Sequence, residues 1–324
     1  MSSSLATDVR FKLNDGNSIP ALGLGTVPSK EPSHTKTEVV TAVKAGIRHI
    51  DTAWYYGTEK YVGEALQELF AEGVVKREDI FVTTKVWPSF WHNPEKSLDT
   101  SLKTLGLDYV DLFLQHWPIA LHGDENGLPA EPLDESGYPI YDDDPVTGTK
   151  FLGVYKELER IKKTTNKVKS IGVSNYNIER LEWLLKETEI VPVLNQIELH
   201  PKLPQQDLVE WSEKHNILTE AYSPVGAEGA PIVKIPLVKE LAEKYKVTEN
   251  EVADAYHILE GRVSLPRTSN LDRIKNLVRL PELTKDELKQ LHELGEKEPK
   301  RYRNELWGHG LGFKYWEGDR FAKK

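Results

Sequence analysis

The chain has 324 residues, a formal net charge of −9 and no cysteine. The acidic balance argues against a nucleic-acid backbone or an anionic membrane surface as partner. No apolar run reaches the roughly 18 residues of a spanning helix, and without cysteine there are neither disulfides nor thiolate metal sites. The opening MSSSLATDVR lacks the apolar core of a signal peptide and no N-x-S/T acceptor occurs, so the default is a cytoplasmic protein.

In chain order, residues 1–9 are expected to be disordered. FKLNDGNSIP then reads as a β-hairpin turning at Asn14–Asn17, and the apolar run ALGLGT follows. Strand and helix signals alternate from there. Apolar, β-branched segments fall at 47–51, 80–86, 109–115, 168–173, 193–198, 217–222 and 263–266. Between them lie helix-period stretches such as TEVVTAVKAG, EKYVGEALQELFAEG, FLGVYKELERIKK, IERLEWLLKE and PLVKELAEKYK. With ALGLGT there are eight strand signals, nearly continuous in apolar character, as strands buried on both faces require. The alternation predicts a parallel sheet. No linker divides the chain, so the expectation is one α/β domain over 1–324: a (β/α)8 TIM barrel with an N-terminal hairpin and long loops at its C-terminal face.

Three stretches break the rhythm. Residues 119–148 are acidic, rich in Pro and Gly and too long for an ordinary connection; a loop beside the site and a disordered surface insertion are both compatible with that composition. SPVGAEGAPIVK after Tyr222 and the tail from 297 to 324 are also aperiodic. All three would emerge at the same barrel face.

Four polar side chains stand at or just past the ends of apolar runs about one βα unit apart: Asp51 and Tyr56 in IRHIDTAWYYGTE, Lys85 in DIFVTTKVW and His116 in YVDLFLQHWP. A barrel builds its site where strands end, so this spacing would gather them into one pocket. Each has a blander explanation. Asp51 suits a helix N-cap, Lys85 a strand-end lysine reaching solvent, His116 a hydrogen-bonded core histidine, and Tyr56 ordinary packing beside Trp54 and Tyr55. Their joint occurrence at this spacing is what argues against chance.

Other motifs are excluded. Gly23-Leu24-Gly25 starts like a dinucleotide fingerprint, but the third glycine falls at Pro28 and no helix opens there. The histidines show no H-E-x-x-H spacing, so no metal is expected. No G-x-S-x-G or P-loop occurs. The segment RVSLPRTSNLDRIKNLVR carries five basic residues against one acid. It could be a solvated helix face, yet Arg267 and Thr268 sit just past the last strand signal, where barrels frequently hold a phosphate.

DTAWYYGTE, TTKVW, LQHWP, IGVSNY, NQIELHP, AYSP and LPRTSN, in this order over nearly the whole chain, resemble the aldo-keto reductase superfamily. LQHWP and KIPLVKELAEKYKVT are similar to its fungal D-arabinose 1-dehydrogenase and carbonyl reductase group. The resemblance implies a barrel that binds NADP(H), with NAD(H) weaker, across the strand ends without a Rossmann domain. It implies Tyr56 as general acid, Lys85 and Asp51 as its tuning pair, and His116 as the residue that orients a small-molecule carbonyl. Ser174, Asn175 and Gln196 match positions that bind the nicotinamide carboxamide, and Tyr222 the ring that stacks on the nicotinamide. Ser223, Val225 and Gly226 begin the loop over the pyrophosphate. Arg267, Thr268 and Arg273 match the 2′-phosphate pocket, and Thr26 and Asn270 complete the implied cofactor contacts. The superfamily also contains regulatory subunits that bind the cofactor with little turnover, and a structural protein on such a scaffold is conceivable. Oligomeric state, monomer or homodimer, is open.

This chain departs from the common pattern at three places. Arg267 replaces a lysine, which keeps the charge and adds fork geometry. Asn276 stands where a glutamate often meets adenine, and Val27 where aldose reductases carry a pocket tryptophan. Hydride addition to a carbonyl leaves charge on oxygen, so the site must supply a proton and stabilise that charge. Tyr has an unperturbed pKa of about 10; an ammonium such as Lys85 lowers it and burial raises it, and donation near neutrality calls for the former to prevail. Trp54, Tyr55, Trp87 and Trp117 are expected to line the substrate pocket, with Trp87 and Trp117 touching substrate.

Overall fold

A computed structural model describes residues 4–28 and 31–321. Twelve strands occur among them: β1 (Ser4–Leu5), β2 (Arg10–Lys12), β3 (Ser18–Pro20), β4 (Gly23–Gly25), β5 (His49–Asp51), β6 (Phe81–Val86), β7 (Val110–Gln115), β8 (Val168–Ser174), β9 (Leu194–Glu198), β10 (Leu218–Tyr222), β11 (Val263–Leu265) and β12 (Arg279–Leu280). β4 to β11 form one sheet in sequence order, every neighbouring pair parallel. A parallel bridge from Leu22 to Ser264 closes it, with Ser264 N donating to Ala21 O at 2.8 Å and Gly25 N to Pro266 O at 3.0 Å. The result is an eight-stranded barrel. Its strands fall within a residue or two of the apolar segments read from the sequence.

The connections carry α1 (His34–Lys44), α2 (Glu59–Ala71), α3 (Pro94–Leu105), α4 (Lys150–Thr164), α5 (Ile178–Glu187) and α6 (Gln206–Lys214), then both α7 (Pro236–Tyr245) and α8 (Glu249–Ile258) between β10 and β11. α9 (Leu271–Lys275) and α10 (Lys285–Lys297) follow. None is long and apolar enough to cross a membrane. Local chemistry sets their ends. Asn93 and Asn177 accept backbone N–H bonds at the starts of α3 and α5, and α8 and α10 open with Thr–Glu capping boxes.

The two-residue period of the strands sorts side chains into two cores. Outward residues such as Ile50, Val82, Phe113, Ile171, Val173 and Ile197 join the helices in the larger cluster. Inside the barrel, Leu112, Leu114, Leu194, Val263 and Leu265 pack together and are closed from below by Leu13 and Ile19 of the β2–β3 hairpin. That hairpin turns at Gly16, φ +92°, where a side chain would be strained. Asn14 Nδ2 pins it by donating to Pro192 O and Asn216 O, ahead of β9 and β10.

Two sequence expectations need correction or choice. Residues 4–9 are not disordered: Ser4 and Leu5 pair antiparallel with Leu280 and Arg279, and Ala6 is buried. The backbone partners come from about 275 residues downstream, beyond the reach of a local reading; residues 1–3 lie outside the described ones. The 119–148 stretch is an ordered loop, held by the bridges Leu121–Tyr141 and Leu133–Pro139 and by Asp124 and Asp134, whose carboxylates each accept backbone N–H bonds.

Candidate active site

Asp51 ends β5 and Lys85 lies in β6 with its side chain inside the barrel, since its neighbour Thr84 points outward to Glu59 of α2 at 2.6 Å. A short 3-10 turn, Trp54–Tyr56, carries Tyr56 back over the opening. His116 follows β7 and donates its backbone N–H to Val86 O at 3.1 Å. These four meet. Lys85 Nζ donates to Asp51 Oδ1 and Oδ2 at 2.8 and 2.7 Å, to Thr52 O at 3.0 Å and to Tyr56 Oη at 3.2 Å. The His116 ring meets the Tyr56 ring edge-on at 5.6 Å. Asp51 is therefore no helix cap and Lys85 reaches no solvent: Lys85 is fully buried, a position an ammonium keeps only with such partners.

Environment sets the protonation states. Burial pulls the Lys85 pKa down, but Asp51 and Tyr56 more than offset it and leave it raised, so the ammonium persists. Burial raises the Tyr56 pKa and outweighs the Lys85 charge, holding the phenol protonated; the expectation that the ammonium prevails is not met here. Burial, then Lys85, push the His116 pKa well below the usual range, leaving a neutral ring that can donate from one nitrogen, and its Nδ1 has no partner among the described residues. The group is a buried cation flanked by a protonated phenol and a neutral imidazole, suited to meeting an oxygen that gains negative charge.

Beside it, Ser174 Oγ donates to Gln196 O at 2.9 Å, Asn175 Nδ2 to His116 O at 2.9 Å, and Tyr222 Oη to Asn175 Oδ1 at 2.9 Å. Asn175 adopts φ +61° and Ser223 φ +55°, backbone conformations uncommon outside glycine and typical of functional sites. Gln196 Nε2 donates to both Asp51 Oδ2 at 2.9 Å and Glu220 Oε2 at 2.7 Å. After Tyr222 the chain turns through Ser223, Val225 and Gly226, whose φ of +83° and tight packing on Pro231 and Tyr302 exclude a side chain.

Arg267, Thr268, Asn270 and Arg273 gather past β11. Thr268 Oγ1 accepts from Asn270 N and from Arg273 Nη1, both at 3.2 Å, and Asn270 Oδ1 caps α9 through Arg273 N at 2.9 Å. Arg267 Nε donates to Val27 O at 2.8 Å, while its Nη2 is buried without a partner among the described residues. Asn276 Nδ2 turns back to Asp272 O at 2.8 Å. Thr26 is buried and bonds Asp51 O through both its N–H and its hydroxyl, tying this cluster to the acid. Val27 is exposed.

The aromatic residues divide. Tyr55 stacks on Trp87 at 3.7 Å and 5°, and Trp87 meets His116 edge-on at 5.1 Å. Trp87 and Trp117 are only 1% and 4% exposed, so Tyr55 rather than Trp87 offers a surface, and Trp117 packs toward Trp316. Trp54 lies against Phe90.

Sequence reading missed the residues that bring distant segments here. Trp307 of the tail packs edge-on against Trp87 at 5.3 Å. The 119–148 loop supplies Glu131, which accepts from Tyr55 Oη at 2.5 Å, and Ala130 O, which accepts from Trp87 Nε1 at 2.6 Å. Glu198, buried at the end of β9, clamps the tail: Tyr302 N donates to its Oε1 at 2.7 Å, Arg303 N to its Oε2 at 3.1 Å and Arg301 Nη1 to its Oε2 at 3.3 Å. Burial opposes its charge, but His200, Arg301 and the Tyr302 N–H hold its pKa below the carboxylate norm. The clamp brings Arg303 Nε to 3.5 Å from Ser223 Oγ. Glu220 is a fully buried acid in the apolar run LTEAY.

The aldo/keto reductase family profile matches residues 21–231. The chain belongs to this family of oxidoreductases. Among curated relatives, the aldo/keto reductase is 40% identical over 303 residues to glycerol 2-dehydrogenase (NADP(+)) of Saccharomyces cerevisiae, covering 92% of this chain and 94% of the relative. It is 41% identical over 310 residues to D-galacturonate reductase of Hypocrea jecorina, covering 94% and 97%. The barrel superposes on the aldose reductase of Schistosoma japonicum with a TM-score of 0.85 at 30% identity, covering 97% of this chain and all of that one. A Bombyx mori aldo-keto reductase in complex with NADP gives 0.78 at 33% identity, covering 88% and 92%.

Proposed function

We propose that this aldo/keto reductase uses NADPH to reduce aldehydes and ketones to alcohols, reversibly, with Tyr56 as proton donor. The observation that carries the reading is the Asp51–Lys85–Tyr56 chain beside a neutral His116. A bound NADPH would supply hydride to the carbonyl carbon. As negative charge develops on oxygen, Tyr56 Oη delivers its proton there, and Lys85 stabilises the phenolate left behind. Asp51 keeps Lys85 charged and fixed in position. His116, neutral, donates a hydrogen bond that orients the carbonyl rather than competing as an acid.

The cofactor contacts also fit what the residues offer. Arg267 has a buried Nη2 that no described residue pairs, beside Thr268 and Arg273, a donor set that matches the oxygens of a 2′-phosphate. Ser174, Asn175 and Gln196 would hold the carboxamide, Tyr222 the nicotinamide face, Ser223 to Gly226 the pyrophosphate, and Thr26 and Asn270 would shape the two ends. We place the substrate between Tyr55, Trp307 and the polar rim of Glu131, Arg303 and Glu305, a mixed wall suited to small hydroxylated carbonyls such as the D-galacturonate named for one fungal relative. Steady-state kinetics over a panel of aldehydes, ketones and sugar acids, with NADPH and NADH, test this. Turnover preferring NADPH supports it; cofactor binding without turnover on any carbonyl would instead favour a regulatory subunit.

A further inference from the structure

Inside the barrel, below the reacting groups, lies an acid that the reduction does not use. Glu220 sits mid-strand in β10, fully buried, its Cα in register with that of Gln196 on β9. Its Oε2 accepts from Gln196 Nε2 at 2.7 Å, the same nitrogen that donates to Asp51 Oδ2 at 2.9 Å. Both amide hydrogens of Gln196 are thus taken by carboxyl groups. The amide is held with its oxygen on the opposite side, as an acceptor, and a flip would turn that oxygen onto Asp51.

The other groups that face Glu220 cannot neutralise a charge on it. On β5, His49 Nε2 lies 3.8 Å from Glu220 Oε1, which has no hydrogen-bond partner among the described residues. Burial, then Lys85 and Arg10, hold the His49 pKa down to about 3, so the ring is neutral, and its Nε2 also lies 3.0 Å from Thr83 Oγ1 of β6. Gly23 of β4 leaves the imidazole its room, since a Cβ there would lie 2.7 Å from His49 Nδ1. On β11, Ser264 points away, to Asp254 of α8. Glu59 of α2 lies outside the barrel wall, on Thr84. Lys85, the nearby cation among the described residues, is already engaged by Asp51 and Tyr56. Burial first, then the Asp51 charge, push the Glu220 pKa up to about 8.

We propose that Glu220 is a positioning residue of the reductase: as a neutral acid it locks the Gln196 amide and leaves Asp51, among the described residues, the one carboxylate bonded to Lys85. This rests on the reduction assigned above. When Glu220 ionises on the alkaline side, a second negative charge enters the same buried group and makes tyrosinate, the base for alcohol oxidation, harder to form. The alkaline limb of kcat/KM for alcohol oxidation should therefore respond to Glu220.

The test is the pH profile of kcat/KM for alcohol oxidation with NADP+ in the wild type, Glu220→Gln and Glu220→Met. Glu220→Gln keeps an acceptor for Gln196 and cannot ionise. The two profiles should coincide below neutrality and separate above it, with the variant about three- to tenfold faster at the alkaline end, the effect of a shift of up to about one pKa unit at Tyr56. Glu220→Met removes charge and acceptor together; it should share the altered pH profile and in addition bind NADP+ about three- to tenfold more weakly, because Gln196 is no longer locked. Superimposable profiles for the wild type and Glu220→Gln would overturn the proposal, as would a tenfold loss in Glu220→Gln already at pH 6.5. If Glu220→Gln does not fold, Glu220→Met carries the pH comparison; if neither folds, the acid is a folding determinant and the proposal is withdrawn. A wild type that turns over no carbonyl at all would remove the assigned reduction instead.

Discussion

The two ends of the barrel are built from the same strands and treat polar groups in opposite ways. At the N-terminal end the hairpin's polar groups are satisfied by ordinary partners. Asn14 bonds two backbone carbonyls, Asp15 accepts from Ser170 Oγ at 2.8 Å and pairs with Lys162, and its pKa is lowered although burial opposes the shift. At the C-terminal end a buried ammonium and a neutral imidazole crowd together, with an acid held up to about 8 directly beneath them. There His116 Nδ1 and Arg267 Nη2 have no partner among the described residues. One end spends its polar groups on closure. The other leaves donors unpaired among the described residues, the division expected of a barrel with its site at the strand C-termini.

The comparison breaks first at Tyr56. Tyr56→Phe should lose about 10²- to 10⁴-fold in the rate of carbonyl reduction, the scale of lost general acid catalysis, with NADPH Kd nearly unchanged because the hydroxyl faces substrate. Single-turnover kinetics, in which hydride transfer limits the rate, check both. Retention of over a tenth of the rate would take the proton-donor role from Tyr56.

At the other end, Leu13→Ala removes a side chain that is 4% exposed and plugs the barrel floor. It should cost about 2–5 kcal/mol of stability in denaturant unfolding while leaving kcat/KM at 25 °C unchanged. A matching loss of activity without unfolding would mean that floor and site are not separate.

Much of this division was legible in the sequence. Strands buried on both faces are near-continuous apolar runs, so their ends were visible, and Asp51, Lys85 and His116 stand out because a charge or imidazole that terminates such a run has few reasons to be there. Residues that act through distant partners were invisible. Ser4–Leu5 has no signal until β12 is placed beside it. Trp307 and the Glu198 clamp join segments about a hundred residues or more apart with no period to read. Glu220 did leave a trace: a lone acid inside LTEAY, two residues before Tyr222, must share the barrel-facing side of its strand with that tyrosine. The burial of Trp87 could not be read, because it depends on Tyr55 stacking over it.

The smallest expected effect concerns the basic cluster. Arg273→Ala should weaken NADPH binding about ten- to hundredfold, the contribution of one charge-assisted contact, and leave NADH binding unaltered; fluorescence titration with both cofactors reads it. Equal weakening of both would detach Arg273 from the 2′-phosphate.

The central claim, that the C-terminal face carries out hydride transfer to a carbonyl, is tested most directly by a single turnover with NADPH deuterated at C4 of the nicotinamide on the transferred face. The account predicts an alcohol product with deuterium on its carbinol carbon, formed in step with cofactor consumption. NADPH bound tightly, with no aldehyde or ketone in the panel drawing the deuterium, would contradict it.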